Sequence, residues 1–365
     1  YKENKIRQYM GDSYIRLSAP GVYVPERGKN DCNVITNADL EKIVDTNNEW
    51  IVERTGMRER RISFDKNILQ MADEAVLDLY AQENLNPDEV IFATNRHLKE
   101  REFPNAGSFI AEKLNAKVAT HDTLAGCTGL IFALREAYNT LKVEENKKEI
   151  LVVGAENLTD MTNYRDRNTC ILFGDAVVAH KLERVNRRGE GIISCWVGGD
   201  QDKGDKDWIN GFLTTEKTIG LKLRPNPKYL AGDLTAPKFE TYEAEQNYLI
   251  MNGPEVFKFA VPAMRHAVHE VLEDSGYALG DVDLIIPHGA NRRIINAASE
   301  GLEKKGLGKD KVFSNLEKYG NISTASTGIA MDEAIRTGKL KPGMLYVLVS
   351  FGSGLTSGAV LARHN

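Results

Sequence analysis

Apolar and polar positions follow two different periods along the chain, and the two periods alternate. Short runs rich in Val, Ile and Ala, such as "EVIFATN" and "EILVVGAEN", have the composition of buried β-strands. Between them lie longer runs with apolar residues three and four apart, such as "ILQMADEAVLDLYAQENL" and "CTGLIFALREAYNTLKV". This alternation predicts an α/β fold in which helices cover a sheet.

The second half of the chain repeats the plan of the first. The strand "GIISCWVGG" precedes a long helix, which has Pro254 near its start and Gly276 as its stop. The strand "VDLIIP", two further helices and the closing strands "MLYVLVSF" and "GAVLARH" follow. We therefore predict an N-terminal extension at 1–13 and two duplicated halves at 14–188 and 189–365.

Residues 197–247 do not fit this plan. They are rich in Asp, Lys, Gly and Pro and show no clear periodicity. We interpret them as an insertion within the second half that caps another part of the molecule.

Composition is typical of a soluble globular protein. The 365 residues are 42% hydrophobic and 27% charged, with a formal net charge of −5. A nucleic-acid-binding protein is expected to have a basic surplus, so the charge argues against that function. No segment approaches the ~20 apolar residues of a membrane span, and the polar N-terminus lacks the apolar core of a secretory signal. We expect a cytoplasmic protein without membrane insertion.

Cysteines and histidines lack the spacing of a metal site. His266 and His269 could share one helix face, but no third ligand is in reach by sequence. We therefore expect no metal. The cysteines are far apart and form no CxxC motif, which fits a reducing compartment: Cys32, Cys127, Cys170 and Cys195.

Cys127 stands where a strand-like run becomes a helix-like run, in "DTLAGCTG". Most free cysteines are small buried hydrophobes, and this is our interpretation of Cys170 and Cys195, which lie in strand-like runs. A thiol at a helix N-terminus faces the positive end of the helix dipole, which lowers its pKa. Gly126 and Gly129 leave room for an acyl group. These features favour a nucleophile at Cys127.

His288 and Asn321 are the candidate partners of this nucleophile. His288 ends the run "DLIIP", at the carboxyl end of a strand where ligands collect in open α/β sheets. Asn321, in "YGNISTAST", begins another helix, so its amide could point into the same cleft. The alternatives are a structural histidine and an ordinary N-cap.

The glycine-rich stretch "FGSGLTSGA" has a G-x-G spacing, but a strand follows it instead of a helix. This argues against a dinucleotide-binding loop. It favours a tight turn whose backbone N–H groups could hold an oxyanion.

With these residues located, the chain resembles the β-ketoacyl-acyl-carrier-protein synthase III family, thiolase-fold condensing enzymes that start fatty-acid chains. The similarity runs from about residue 14 to the C-terminus. Its motifs are "TNADLEKIVDTNNEWIVERTGMRERRI", "DTLAGCTG", "DRNTCILFGD", "NGPEVFKFAV", "PHGANRRII", "YGNISTAS" and "FGSGLTSGA". The resemblance implies a thiolase-like fold, with two duplicated βαβ-type halves in a layered α-β-α-β-α arrangement.

The resemblance also implies an activity. The expected reaction is a decarboxylating Claisen condensation of an acyl-CoA primer with malonyl-acyl carrier protein. It proceeds through an acyl-cysteine and gives β-ketoacyl-acyl carrier protein. Acyl-CoA and the acyl carrier protein would be substrates, no cofactor would be needed, and the enzyme would be a homodimer.

Carried over position by position, the resemblance assigns a role to each matching residue. Cys127 would be the acylated nucleophile, and His288 with Asn321 would promote decarboxylation. The backbone N–H groups of Cys127 and Ser353 would form the oxyanion hole. The other positions would contact substrate or carrier protein. Trp50 and Arg167 would enclose the adenine, Arg54 would lie near the phosphates, and Asn252 and Asn291 would line the pantetheine channel. Phe351 would lie over the active site, and Lys258 and Arg293 would face the acyl carrier protein.

Several positions depart from the family pattern. Gly289 stands where Gln is usual, Ser357 where an aromatic residue is common, and Glu300 where a basic residue is usual, which weakens the carrier-docking assignment. The stretch 96–101 is unusually charged for the loop that shapes the acyl pocket across the dimer interface. Together with the insertion at 197–247, this leads to the hypothesis that the primer is longer than, or different from, acetyl-CoA.

Other functions stay open at this point. One is an acyltransferase of secondary metabolism that forms esters, amides or other condensation products. Another is a thioester hydrolase, in which water resolves the acyl-enzyme. A third is a non-catalytic acyl-binding homologue, although the presence of all three catalytic residue types speaks against it.

Overall fold

A computed structural model of the chain describes residues 14–26, 33–95, 104–186, 190–199 and 213–365. The strands in these residues are β1 Tyr14–Leu17, β2 Gly21–Tyr23, β3 Val34–Thr36, β4 Glu59–Arg61, β5 Glu89–Thr94, β6 Ala119–Leu124, β7 Glu149–Asn157, β8 Asp175–Val185, β9 Gly191–Gly199, β10 Leu213–Pro225, β11 Phe239–Met251, β12 Leu284–Pro287, β13 Leu345–Gly352 and β14 Thr356–Arg363. The helices are α1 Asn37–Glu41, α2 Asn48–Thr55, α3 Ile68–Gln82, α4 Ala106–Lys113, α5 Gly129–Val143, α6 Pro227–Leu230, α7 Gly253–Ser275, α8 Arg292–Glu303, α9 Leu316–Tyr319 and α10 Ser326–Arg336.

The main sheet joins strands from both halves in the order β12-β13-β14-β9-β1-β8-β7-β5-β6, with β2 also on β8. Strands β5, β6 and β7 are parallel, as are β12 and β13. The first-half and second-half groups meet at β1 and β9, where Ile15 pairs with Ile192. The narrow junction lets each group form its own layer.

Helices α5 and α10 lie between the two groups of strands. One buried cluster contains Leu134 of α5 and Ile329 of α10 together with Val152 of β7 and Leu348 of β13. Helices α3 and α4 cover the outer face of the first group, and α7 and α8 cover the outer face of the second. The predicted α-β-α-β-α layering is confirmed. The division at 188/189 stays a prediction.

Residues 213–251 differ most from the sequence prediction. Strands β10 and β11 form an antiparallel hairpin, paired from Leu213 with Met251 to Pro225 with Phe239. Leu230 and Leu249 anchor it in a buried cluster. Polar residues such as Thr and Glu interrupt the apolar residues of both strands, so the sequence shows no clear hydrophobic period. The predicted insertion also began too early, because 197–199 complete β9 and pair with β14.

Cys170 was assigned to a strand, and this prediction is wrong. Strand β8 begins only at Asp175, and the residues before it form turns, in which the Cys170 N–H donates to the Asp166 carbonyl at 2.9 Å. Residues 170–173 pack in a buried apolar cluster, and the Arg60 guanidinium, itself buried, donates to the Ile171 carbonyl at 2.7 Å. A buried loop therefore resembled a strand in composition. Cys195 lies in β9, as predicted.

Three other sequence predictions concern residues that lie outside the described ranges: the extension at 1–13, Cys32 and the charged stretch 96–101. Among the described helices, none combines the length and apolar character needed to cross a bilayer.

Candidate active site

Cys127 lies in a 3-10 turn, Gly126–Thr128, directly before helix α5. Gly126 has φ +55°, a left-handed conformation that favours glycine. The Ser350 hydroxyl donates to the Cys127 carbonyl at 2.7 Å. Gly352 packs so closely that a Cβ there would lie 2.8 Å from the Cys127 nitrogen. The end of β13 therefore fixes the position of the nucleophile turn.

The pKa of Cys127 is not lowered, contrary to the sequence prediction. Burial raises the pKa of the thiol to about 12, because the charged thiolate loses solvation. A hydrogen bond from the Ser323 hydroxyl favours the thiolate, but its effect is smaller, and the nearby Glu156 carboxylate also raises the pKa. The helix position was predicted correctly, whereas the covering by β13 and Ser323 could not be read from the sequence. At rest, Cys127 is a thiol.

Ser323 links the nucleophile to the end of strand β5. The Asn95 side-chain amide donates to the Ser323 hydroxyl oxygen at 2.8 Å, so the hydroxyl hydrogen remains available for the Cys127 sulfur. Ser323 has φ +44°, a strained conformation of the kind found at functional sites. Sequence analysis missed both partners, because the bond joins residues 228 positions apart.

His288 follows strand β12 and is 1% exposed. Its Nδ1 lies 2.6 Å from the Ser326 hydroxyl oxygen. The Phe351 ring packs edge-on against the imidazole, with ring centroids 5.3 Å apart. Burial lowers the pKa of His288 to about 3, so the ring is neutral at physiological pH. Because Nδ1 is bound to Ser326, Nε2 is the nitrogen left for a substrate.

Asn321 is held in one orientation by the backbone. Its side-chain oxygen accepts a hydrogen bond from the Ser323 N–H at 2.9 Å, which leaves the side-chain NH2 as a donor. Its own N–H donates to the Leu172 carbonyl at 2.8 Å. Helix α10 begins only at Ser326, with Ala325 as its N-cap, so the alternative that Asn321 caps this helix is excluded.

Cys127, His288 and Asn321 line one cavity of about 70 Å³, together with Phe351 and Ser353. The sequence analysis expected these residues of the two halves to meet, and the structure brings them together. Their individual roles stay predictions.

The predicted oxyanion-hole groups also lie close to each other. A Cβ placed on Gly126, the residue before Cys127, would lie 3.4 Å from the Ser353 backbone nitrogen. The nucleophile turn and the turn after β13 are therefore in contact. This arrangement is compatible with two N–H groups that share one oxygen atom of a substrate.

A larger cavity of about 970 Å³ adjoins the first. Both are lined by Leu172, Met251, Gly253, Asn291 and Ile294. The predicted binding residues that line the larger one are Trp50, Arg54, Asn252, Asn291, Lys258 and Arg293.

Asn252 and Asn291 are the N-caps of helices α7 and α8. The Asn252 side chain accepts a hydrogen bond from the Glu255 N–H at 3.4 Å, and that of Asn291 accepts one from the Arg293 N–H at 2.8 Å. The Asn291 amide also donates to the Arg54 carbonyl at 3.1 Å. Two helix N-termini, which favour anions, therefore face the larger cavity.

Arg167 lies directly against Trp50. Its guanidinium carbon is 4.3 Å from the centre of the Trp50 ring, and that of Arg54 is 5.3 Å away. A flat base between Trp50 and Arg167 would need a separation of about 7 Å, twice the usual contact distance. The two side chains must therefore separate before they can enclose adenine.

The sequence analysis found no third ligand within reach of His266 and His269, and this is wrong, because Glu270 and Glu273 lie on the same helix. Ligand atoms of His269, Glu270 and Glu273 lie within 4.8 Å of one another on helix α7. His266 pairs with Glu270 at 3.3 Å and His269 with Glu273 at 3.6 Å. These contacts between neighbouring turns of the exposed helix face explain why the groups are close.

Comparison with known proteins shows the family of the chain. The profile described as "3-Oxoacyl-[acyl-carrier-protein (ACP)] synthase III" matches residues 121–201, and that of its C-terminal region matches residues 272–364. A β-ketoacyl-[acyl-carrier-protein] synthase III from Aquifex aeolicus is 39% identical over 354 residues, which cover 96% of this chain and 99% of that protein. The chain belongs to the β-ketoacyl-[acyl-carrier-protein] synthase III family.

Other members show similar agreement. The synthase III of Clostridium acetobutylicum is 39% identical over 353 residues, covering 96% of this chain and 98% of its own. A crystal structure of 3-oxoacyl-[acyl-carrier-protein] synthase III from Aquifex aeolicus superposes with a TM-score of 0.79 at 37% identity, covering 96% of this chain and 100% of that one. The predicted family and fold are confirmed.

The Ser323–Cys127 contact predicts the reactivity of the thiol. In Ser323→Ala, alkylation of Cys127 by iodoacetamide at pH 8 should be about tenfold slower or more, since a hydrogen bond to a charged group contributes ~1.5–3 kcal/mol. Peptide mass spectrometry measures the rate. Ser299→Ala removes a hydroxyl on α8 that donates to its own helix, and should change nothing. An unaltered rate in Ser323→Ala would exclude this role.

The low pKa of His288 predicts how stability depends on pH. In the folded protein this pKa is about 3, against 6.5 for an unperturbed histidine, so the unfolded chain binds the proton first as pH falls. His288 therefore contributes stability above pH 6.5 that is lost as pH decreases toward 3. Between pH 7.5 and 5.0, wild type should lose up to about 2 kcal/mol more free energy of unfolding than His288→Gln in urea titrations. Equal losses would contradict the pKa.

Proposed function

We propose that the protein condenses an acyl-CoA primer with malonyl-acyl carrier protein, with loss of CO2, to start fatty-acid chains. The family is one of condensing acyltransferases, and relatives at 39% identity carry the name of the β-ketoacyl synthase. This favours condensation over the ester-forming, hydrolytic and acyl-binding alternatives. The observation that carries the proposal is the single cavity lined by Cys127, His288 and Asn321.

The first half-reaction transfers the primer to Cys127. The sulfur attacks the thioester carbon, a new C–S bond forms, and the bond to the coenzyme A sulfur breaks. The proton of Cys127 ends on the departing thiol, so charge is conserved. The N–H groups of Cys127 and Ser353 hold the transient oxyanion, and the Ser323 hydroxyl stabilises the sulfur as it becomes negative.

The second half-reaction breaks the bond between malonyl carbon and CO2. The electron pair forms an enolate, with its charge on the thioester oxygen. Neutral His288, through Nε2–H, and the Asn321 amide donate hydrogen bonds to this oxygen. The carbanion attacks the acyl carbon on Cys127, the thiolate leaves, and it takes a proton from solvent.

The larger cavity suits the phosphopantetheine arm that coenzyme A and the carrier protein share. Arg54, Lys258 and Arg293 place positive charge along its walls, beside the N-termini of α7 and α8. We place the pantetheine along Asn252 and Asn291. Adenine would enter between Trp50 and Arg167. Lys258, whose side chain is 69% exposed, would meet the acidic carrier protein with Arg293.

We also propose a cytoplasmic homodimer joined along strand β6. This strand ends the main sheet, pairs with β5, and has exposed residues at both ends, with Leu124 43% exposed. An exposed edge offers a row of hydrogen-bonding groups to a second chain. A free thiol nucleophile favours a reducing compartment.

Sedimentation should show two chains per particle, and a monomer at micromolar concentration would contradict the dimer.

Intact-protein mass spectrometry tests the reaction. After incubation with acetyl-, octanoyl- or longer acyl-CoA, wild type should gain one acyl group and Cys127→Ser none. Malonyl-acyl carrier protein should then remove the group and yield β-ketoacyl carrier protein and CO2. Free acid in place of this product would exclude condensation. A strong preference for acetyl-CoA would defeat only the hypothesis of an unusual primer.

The same assay separates the two half-reactions. His288→Ala and Asn321→Ala should still form the acyl-enzyme, because neither residue touches the oxyanion of that step. Each should lower decarboxylation about 10²- to 10³-fold, the usual effect of removing one donor to a developing charge. Loss of acylation in either variant would show that the roles are assigned wrongly.

A further inference from the structure

Ser326, the first residue of helix α10, has a hydroxyl with two possible acceptors. It is 4% exposed, and its oxygen lies 2.6 Å from Nδ1 of His288 and 2.8 Å from the Ser323 carbonyl oxygen. A serine hydroxyl has one hydrogen and two acceptor sites. It can therefore donate to the imidazole or to the carbonyl, but not to both at once.

The choice of acceptor determines which ring nitrogen of His288 carries the hydrogen. When the hydroxyl donates to the Ser323 carbonyl, Nδ1–H must donate to the Ser326 oxygen, and Nε2 is a bare acceptor. When the hydroxyl donates to Nδ1, the ring hydrogen is on Nε2, and Nε2–H becomes a donor. Only the second arrangement supplies a hydrogen bond to an enolate oxygen.

The pose of the imidazole is otherwise fixed. The His288 N–H donates to the Val349 carbonyl at 2.8 Å, and the His288 carbonyl accepts from the Ala290 N–H at 2.9 Å. Phe351 packs edge-on against the ring. Because the backbone and the ring are both held, the remaining variable is which ring nitrogen carries the proton.

Rotation of the Ser326 hydroxyl leaves the Ser323 carbonyl satisfied. The backbone N–H of Ser326 also donates to this carbonyl, as the cap of the 3-10 turn Ser323–Ala325. The carbonyl keeps that bond when the hydroxyl turns toward His288. The change therefore does not create a buried orphan acceptor, which would cost about 1–3 kcal/mol.

We propose that Ser326 is the positioning residue that holds His288 in the Nε2–H tautomer, by donating its hydroxyl hydrogen to Nδ1 while the malonyl group is bound. This inference rests on the proposed condensation, because that reaction needs a neutral donor at Nε2. The two serines of this motif, Ser323 and Ser326, then have different roles. Ser323 serves the sulfur of Cys127, and Ser326 serves the imidazole.

Kinetics of the variants tests the proposal. In Ser326→Ala, decarboxylation of malonyl-acyl carrier protein should fall about 10- to 100-fold, the usual effect of removing the partner that orients a functional histidine. Formation of the acyl-enzyme should change less than about threefold, since His288 does not act in that step. Ser326→Thr keeps the hydroxyl and should recover most of the rate. Thr327→Val removes the neighbouring buried hydroxyl and should leave both steps unchanged.

Nitrogen NMR tests the tautomer directly in the wild-type protein. Wild-type protein with 15N-labelled histidine, its His288 signals assigned with His288→Gln, is bound to a malonyl amide analogue that cannot lose CO2. The shifts should report a protonated Nε2. A protonated Nδ1 would overturn the proposal, as would an undiminished decarboxylation rate in Ser326→Ala. Failure of the wild type itself to decarboxylate malonyl-acyl carrier protein would instead refute the proposed function.

Discussion

The site depends on a buried contact between two short turns that begin the central helices. The turn at Gly126–Thr128 precedes α5 in the first half, and the turn at Ser323–Ala325 precedes α10 in the second. Both helices are packed between two groups of strands, so neither turn can shift without opening the core. The contact between Ser323 and Cys127 joins the halves at the point where the chemistry occurs.

Burial in the reactive cavity has opposite consequences for the chemistry of His288 and Cys127. It keeps His288 neutral, which a hydrogen-bond donor to an enolate requires, since an imidazolium would be costly in the same place. It also raises the pKa of Cys127, which opposes formation of the thiolate. The Ser323 hydroxyl, oriented by Asn95, offsets part of that effect. Local hydrogen bonds therefore compensate the sulfur for only part of the solvation that burial removes.

The same packing is consistent with the proposed approach of the substrate through the larger cavity. The small reactive cavity shares part of its walls with the larger one, whose positively charged residues come from α2, α7 and α8. Helices α7 and α8 present their N-termini to this space, and the hairpin of β10 and β11 contributes Met251 to its wall. We expect a long, flexible, anionic arm to fit such a passage, because Arg54, Lys258 and Arg293 line only the larger cavity, whereas the reactive cavity is lined mainly by apolar and neutral residues.

Local pattern was sufficient for the alternating elements and the duplication. It also singled out Cys127 and His288, because each follows a strand and precedes a helix. The roles of these two residues and of Asn321 stay predictions. The hairpin at 213–251 was not predicted, since the sequence of its strands shows no clear hydrophobic period. The pKa of Cys127 was predicted in the wrong direction, because solvation depends on what covers the sulfur. Asn95, Ser323 and Ser326 contact the site only because folding brings distant segments within hydrogen-bond distance. The spacing of these residues along the chain does not predict such contacts.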